Sequence, residues 1–183
     1  PIKDKYFSGL IYFVLFWNFA VWVAQPFISV YQLETLEMSY FAISYLDNLY
    51  MILMMIGAYG AGKVIDRIGG KKIYAYSLTS MVCFPLFWIF STKETWLPLL
   101  TIMQVISGIT NGFAAVALNK LLLESSPQAM RSVYIAVYGG ITGLFGGLGP
   151  IVGGVIGDLV ASVNFSLGSM QIGGLRIIFL LSF

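Results

Sequence analysis

Five long apolar runs, Phe7 to Tyr31, Tyr40 to Gly62, Ile73 to Phe90, Trp96 to Leu122 and Val133 to Leu159, follow one another with only short polar breaks between them. Each is close to or above the roughly 20 residues that a helix rising about 1.5 Å per residue needs to cross a hydrocarbon core about 30 Å thick. A sixth run, Ser169 to Phe183, has about 15 residues and reaches only about 22 Å, so it reads as a helix cut short. The pattern predicts an all-α membrane protein with six transmembrane helices, the last truncated, forming one structural unit over residues 1–183.

Composition leads to the same class. Hydrophobic residues make up 58% of the chain and charged residues 10%, against roughly 25% charged in soluble domains, and the mean hydropathy is +0.87. There is no His and one Cys, Cys83, which excludes an internal disulfide and argues against metal sites built on imidazole or paired thiolates. A net charge of +2 is too small to suggest a nucleic-acid partner. The chain opens on Pro1 without a signal-peptide pattern and ends inside an apolar run, so it reads as a fragment. Glu34 to Ser39, Ser91 to Glu94 and Ser162 to Ser166 read as loops, and Ser126-Pro127 as an N-cap with proline at the first helical position.

The break after the second run is charged and punctuated by glycine. Gly62 to Lys72 follows G-x-x-x-D-R-x-G-x-K-K through Gly62, Asp66, Arg67, Gly69, Lys71 and Lys72. This resembles the signature of the major facilitator superfamily of secondary transporters, where it forms the cytoplasmic loop after the second helix of a six-helix half. Ser126-Pro127 followed by Arg131, and then Gly149-Pro150-Ile151-Val152-Gly153-Gly154, look like the start and middle of the fifth helix of such a half. The G-P-x-x-G-G string is similar to one in the N-terminal half of proton-coupled drug antiporters. There a further glycine stands four places earlier, where this chain has Phe145. The charged opening Pro1 to Lys5 looks like the end of a central linker, which makes this the C-terminal half. The resemblance implies a partner half in the same transporter, with substrate bound between the halves near the midplane.

The basic residues give an orientation. With the N-terminus cytoplasmic, Lys3, Lys5, Lys63, Arg67, Lys71, Lys72, Lys120 and Arg131 fall inside, and only Lys93 falls in an outer loop. Arg176 lies within the sixth run, and Glu34, Glu37, Glu94 and Asp158 decorate outer ends. The expected location is the plasma (cell inner) membrane, crossed several times.

Gly62 and Gly69 are expected to relieve the backbone in a tight turn, and Asp66 to face the positive N-terminal end of the fifth helix at Pro127. By resemblance that contact latches the cytoplasmic side, with Arg67, Lys71 and Lys72 bridging to neighbouring helix ends. The plainer reading of the lysines is that they serve topology and lipid phosphates. In the fifth helix Gly139, Gly143 and Gly147, then Gly149, Gly153 and Gly157, recur at intervals of four, beside Gly154, giving strips where another backbone can approach. Pro150 removes a helix hydrogen bond and should bend or loosen the helix.

Polar residues inside the runs mark a candidate substrate route, because each is costly in hydrocarbon. Asn18, Trp22, Gln25 and Ser29 share one helix face, as do Ser44, Asp47, Asn48, Met51 and Met55, and also Gln104, Ser107 and Asn111 with Asn119 beyond. Trp17 and Trp22 beside Gln25 would suit an apolar or sugar-like solute. Asp47 lies about seven residues, roughly 10 Å, inside its helix, where desolvation should raise its pKa and let it carry a proton. Its alternative role is an ion pair with Arg176, for which Asp158 competes.

An intramembrane serine protease of the Ser-His type lacks its histidine here, and an aspartyl protease lacks a second aspartate at the depth of Asp158. A channel should repeat similar polar rings, whereas these stripes differ from helix to helix. Transport of a small solute, sugar or drug-like, by alternating access is the expectation. Proton coupling is open, symport or antiport is open, and a channel or helical scaffold is the alternative. The partners are then the lipid bilayer, the other half, the solute and protons, with no catalytic residue, cofactor or metal.

Overall fold

The computed structural model describes residues 5–161, 165–167 and 170–172. In chain order, α1 is Lys5–Val30, running on through a π-helical turn Tyr31–Thr35. Next come α2 Tyr40–Ile68, α3 Gly70–Met81, α4 Phe84–Phe90 and α5 Trp96–Glu124. A 3-10 turn Gln128–Met130 leads into α6 Arg131–Ala161, and two short strands follow, β1 Phe165–Leu167 and β2 Met170–Ile172. Among the described residues, five helical stretches are long and apolar enough to cross a membrane, with α3 and α4 counting as one. Helices suit that setting because every backbone polar group away from the ends is satisfied within the segment.

Three expectations need correction. The sixth helix lies largely outside the described residues, and its opening residues Met170–Ile172 pair antiparallel with Phe165–Leu167. Phe-Ser-Leu and Met-Gln-Ile alternate apolar and polar, the period of a strand rather than a helix. The third run breaks at Val82 and Cys83, just before Pro85 in the first turn of α4; proline has no N–H to continue the ladder. The helix after Ser126 starts differently: Pro127 itself occupies the N-cap, and the first turn is 3-10.

The charged break after α2 is also tighter than a loop. Gly62, Lys63, Asp66 and Arg67 are helical, Gly70 to Lys72 open α3, and the whole link is Gly69, at φ 96° and ψ 141°. Its N–H still donates to Ile65 O at 2.8 Å. A positive φ of this kind strains any residue with a Cβ.

The helices fall into two groups, α2 to α5 in one and α1 with α6 in the other. In the first group, the Ser39 side chain caps α2 by accepting from the Ala42 N–H at 3.2 Å. The buried core joins Leu46, Ala61 and Ile65 of α2 to Leu100, Ala114 and Ala117 of α5 and to Ile73 and Leu78 of α3. α2 and α5, 29 residues each, run parallel: Lys93 before α5 meets Glu37 before α2, and Lys120 meets Asp66 near their ends. The contact is made at glycine. A Cβ on Gly108 would stand 2.8 Å from Tyr50 O, one on Gly112 would stand 2.6 Å from Ala58 N, and one on Gly57 would collide with Ile109 O.

α1 and α6 are parallel too. Phe7 packs on Tyr134 with the rings tilted by 59° and their centroids 4.4 Å apart, and Phe19 meets Phe145 edge-on at 6.3 Å. Gly149 and Gly153 lie against Trp22, Val23 and Phe27. Large apolar side chains also point outward, Phe16 at 78%, Phe41 at 84% and Tyr59 at 85% exposure. Such faces require lipid or protein against them.

Candidate functional site

The three polar stripes have different fates. On α2, Asp47, Asn48, Met51 and Met55 are exposed on one face. Asn48 satisfies its amide locally by donating to Ser44 O at 2.7 Å. Asp47 makes no hydrogen bond or ion pair among the described residues, and Arg176 lies outside them.

On α1, Asn18 is half-buried and donates to Val14 O at 2.8 Å. Gln25 and Ser29 are exposed, while Trp22 is 43% exposed. The indole of Trp22 rests against α6: a Cβ on Gly146 would lie 3.6 to 3.9 Å from Nε1, Cε2 and Cδ1, three atoms of its pyrrole ring. Trp22 is thus half a packing residue and half an open aromatic surface.

The α5 stripe departs from an open polar face. Gln104 and Ser107 are buried, at 9% and 4% exposure, inside the α2 to α5 group. The Ser107 hydroxyl donates to the Gln104 side-chain carbonyl at 3.2 Å, and the half-buried Asn111 donates to Ser107 O at 2.9 Å. Helical spacing explains this: residues three or four apart can satisfy one another along their own helix. The structure therefore brings Gln104, Ser107 and Asn111 together but does not bond them to Asp47.

At the other end of α2, Asp66 accepts from Lys120 Nζ at 2.9 Å, with side-chain exposures of 77% and 36%. Helices of 29 residues reach about 44 Å, longer than a hydrocarbon core of about 30 Å, so turns at their ends extend beyond a core of that thickness. Lys63, Arg67, Lys71 and Lys72 are exposed around the Gly69 link, and Arg131 opens α6, half-buried.

The glycines of α6 divide in two. Gly149 and Gly153 are pressed on α1, whereas Gly139, Gly143, Gly147 and Gly154 have nothing within 4 Å. Helix α6 is continuous through Pro150. In the sequence Lys120 reads only as a topological charge, and Gly57, Gly108 and Gly112 carry no expectation. The four-residue spacing of Gly108 and Gly112, the rule applied to α6, was the available signal.

Five apolar spans, a charged link at Gly69 and glycine-welded helix pairs agree with what comparison finds. Residues 8–182 match the family model of the Major Facilitator Superfamily. The chain is 32% identical over 135 residues to the tetracycline resistance protein, class H, of Pasteurella multocida, which takes in 74% of this chain and 33% of that relative. It thus spans about a third of the length of the relative. The chain is an integral, multi-pass membrane protein and belongs to the Major Facilitator Superfamily, a family of transporters and not of enzymes.

Proposed function

We propose that the chain is one six-helix half, the C-terminal one, of a secondary transporter that moves a small drug-like solute by alternating access against a second six-helix half. The similarity to a tetracycline resistance protein favours a drug-like solute over a sugar. The basic residues favour a cytoplasmic N-terminus in the cell membrane, with the Gly69 link on the cytoplasmic side.

Asp47 carries the coupling step. It is a carboxylate within an apolar span, on an exposed face and without an ionic partner among the described residues. Exposure to hydrocarbon would be costly, so this face turns to a water-filled path, where the carboxyl takes up a proton on one side of the membrane and releases it on the other. On this α2 face Asn48 and the flexible Met51 and Met55 offer polar and apolar contacts for the solute; on α1, Gln25 and Trp22 are exposed groups that suit the same role. Asp66 and Lys120, with Arg67, Lys71 and Lys72 close by in sequence, form the cytoplasmic gate; Arg131, at the start of α6, is assigned to gating by the sequence resemblance alone. Gly143, Gly147 and Gly154 give α6 a smooth face along which the partner half moves.

The test is proton-driven uptake or efflux by the intact transporter in vesicles, before and after Asp47→Asn. Loss of pH-dependent accumulation, with solute exchange retained, supports coupling. Unchanged pH dependence and accumulation rejects it. Ion-specific unitary currents in place of saturable transport would make the protein a channel.

A further inference from the structure

The charged corner between α2 and α3 holds more positive charge than its own carboxylates neutralise. Lys63 and Arg67 lie one turn apart near the end of α2, and Lys71 and Lys72 stand in the first turn of α3, across the single residue Gly69. All of them are exposed, and among the described residues none makes an ion pair or a side-chain hydrogen bond. The nearest carboxylate in sequence, Asp66, is already engaged by Lys120. Glu124, also exposed, is the remaining acid at the end of α5.

This arrangement opposes helix stability. Like charges one turn apart, as Lys63 and Arg67 are, repel one another. Cations in a first turn face the positive end of the helix dipole, the wrong end for Lys71 and Lys72. A multivalent anion outside the chain relieves both. The helices that carry these cations are long enough to bring their ends just past the hydrocarbon, at the level of lipid phosphates.

We infer that Lys63, Arg67, Lys71 and Lys72 form a docking surface for anionic phospholipid headgroups, distinct from the Asp66–Lys120 pair. Charge complementarity selects the occupant: a phosphodiester with an unbalanced negative charge is held, and a zwitterionic headgroup much less so. Clusters of this size beside a membrane span hold anionic lipid with about a five-fold gain per cation. The Asp66–Lys120 pair keeps the Asp66 carboxylate from repelling the lipid, and Glu124 is left at the end of α5.

The intact transporter, purified into vesicles of phosphatidylcholine containing fluorescent phosphatidylglycerol, tests this by energy transfer to the lipid. The wild-type protein is expected to gather phosphatidylglycerol over phosphatidylcholine by roughly ten-fold or more. The preference should fall in K63Q/R67Q/K71Q/K72Q and in the milder K71Q/K72Q, and persist in K93Q. It should also vanish for the wild type when salt rises from about 0.15 M to about 1 M, where the screening length contracts from about 8 Å to about 3 Å. That salt arm needs no variant to fold. Equal enrichment in wild type and variants, or insensitivity to salt, would overturn the inference. Displacement of the lipid by millimolar inorganic phosphate would overturn it too, by making the corner a free-phosphate site.

Discussion

Asp66 near the end of α2 and Lys120 near the end of α5 are joined by a 2.9 Å hydrogen-bonded ion pair, 54 residues apart in the chain. The geometry explains itself only through the tertiary fold. A carboxylate in the last turn of α2 faces the negative end of that helix's dipole, so Asp66 is a poor choice for α2 alone and is relieved by a cation from α5.

Because both side chains are substantially exposed, solvent screening should leave the pair little weight in stability. Asp66→Asn and Lys120→Gln should therefore leave thermal unfolding in detergent almost unchanged. If the pair belongs to a gate, each should still reduce transport by roughly ten-fold, within the range of conformational coupling energies. Equal, small losses of both stability and transport would return the pair to a structural role.

Glycine substitutions should separate packing from motion. Gly112→Ala and Gly153→Ala place a Cβ on backbone atoms of the neighbouring helix and should cost about 1–3 kcal/mol through overpacking. Gly143→Ala, with nothing within 4 Å, should be neutral or stabilise the helix by up to about 1 kcal/mol. Thermal unfolding ranks the three. A Gly143→Ala protein that is stable yet slow in transport would mark that strip as the sliding face.

At Gly69 the backbone itself is diagnostic. Its φ of 96° and ψ of 141° should make Gly69→Ala cost about 1–3 kcal/mol, although a new Cβ would meet nothing within 4 Å. Gly62→Ala, inside α2 and equally open, should cost nothing. Comparing the two by thermal unfolding isolates conformational strain from steric contact.

Buried amides should behave differently from the open faces. Gln104→Ala removes one partner of the Ser107 hydroxyl, which still reaches Gln104 O, and should cost about 1 kcal/mol in hydrogen bonding with little change in KM. Gln25→Ala, on an exposed face, should raise KM without loss of stability. The reverse pattern would put the substrate path along α5.

Much of this protein was readable from its residues. Run length alone marked the five spans, since only a helix of that length crosses a hydrocarbon core. The turn at Gly69 was foreseeable in kind, because glycine acts through its own backbone, whereas the run Ile73 to Phe90 reads as unbroken and its interruption before Pro85 emerged only in the structure. The polar stripes on α1, α2 and α5 were legible as faces but not as destinations. Helical periodicity cannot distinguish Asp47, which opens outward, from Gln104, which turns into the α2–α5 packing.

The sequence by itself determined the class of fold, the membrane setting and the family, because apolar length, charge placement and the Gly62 to Lys72 pattern are local properties. Tertiary structure decided the partners. It made the charged link a single residue, gave Asp66 to Lys120, pressed Gly149 and Gly153 onto α1 while leaving Gly143 and Gly147 open, and closed Gln104 and Ser107 within a helix group. These choices depend on which helix lies beside which and in what register, and that follows from packing between segments far apart in the chain.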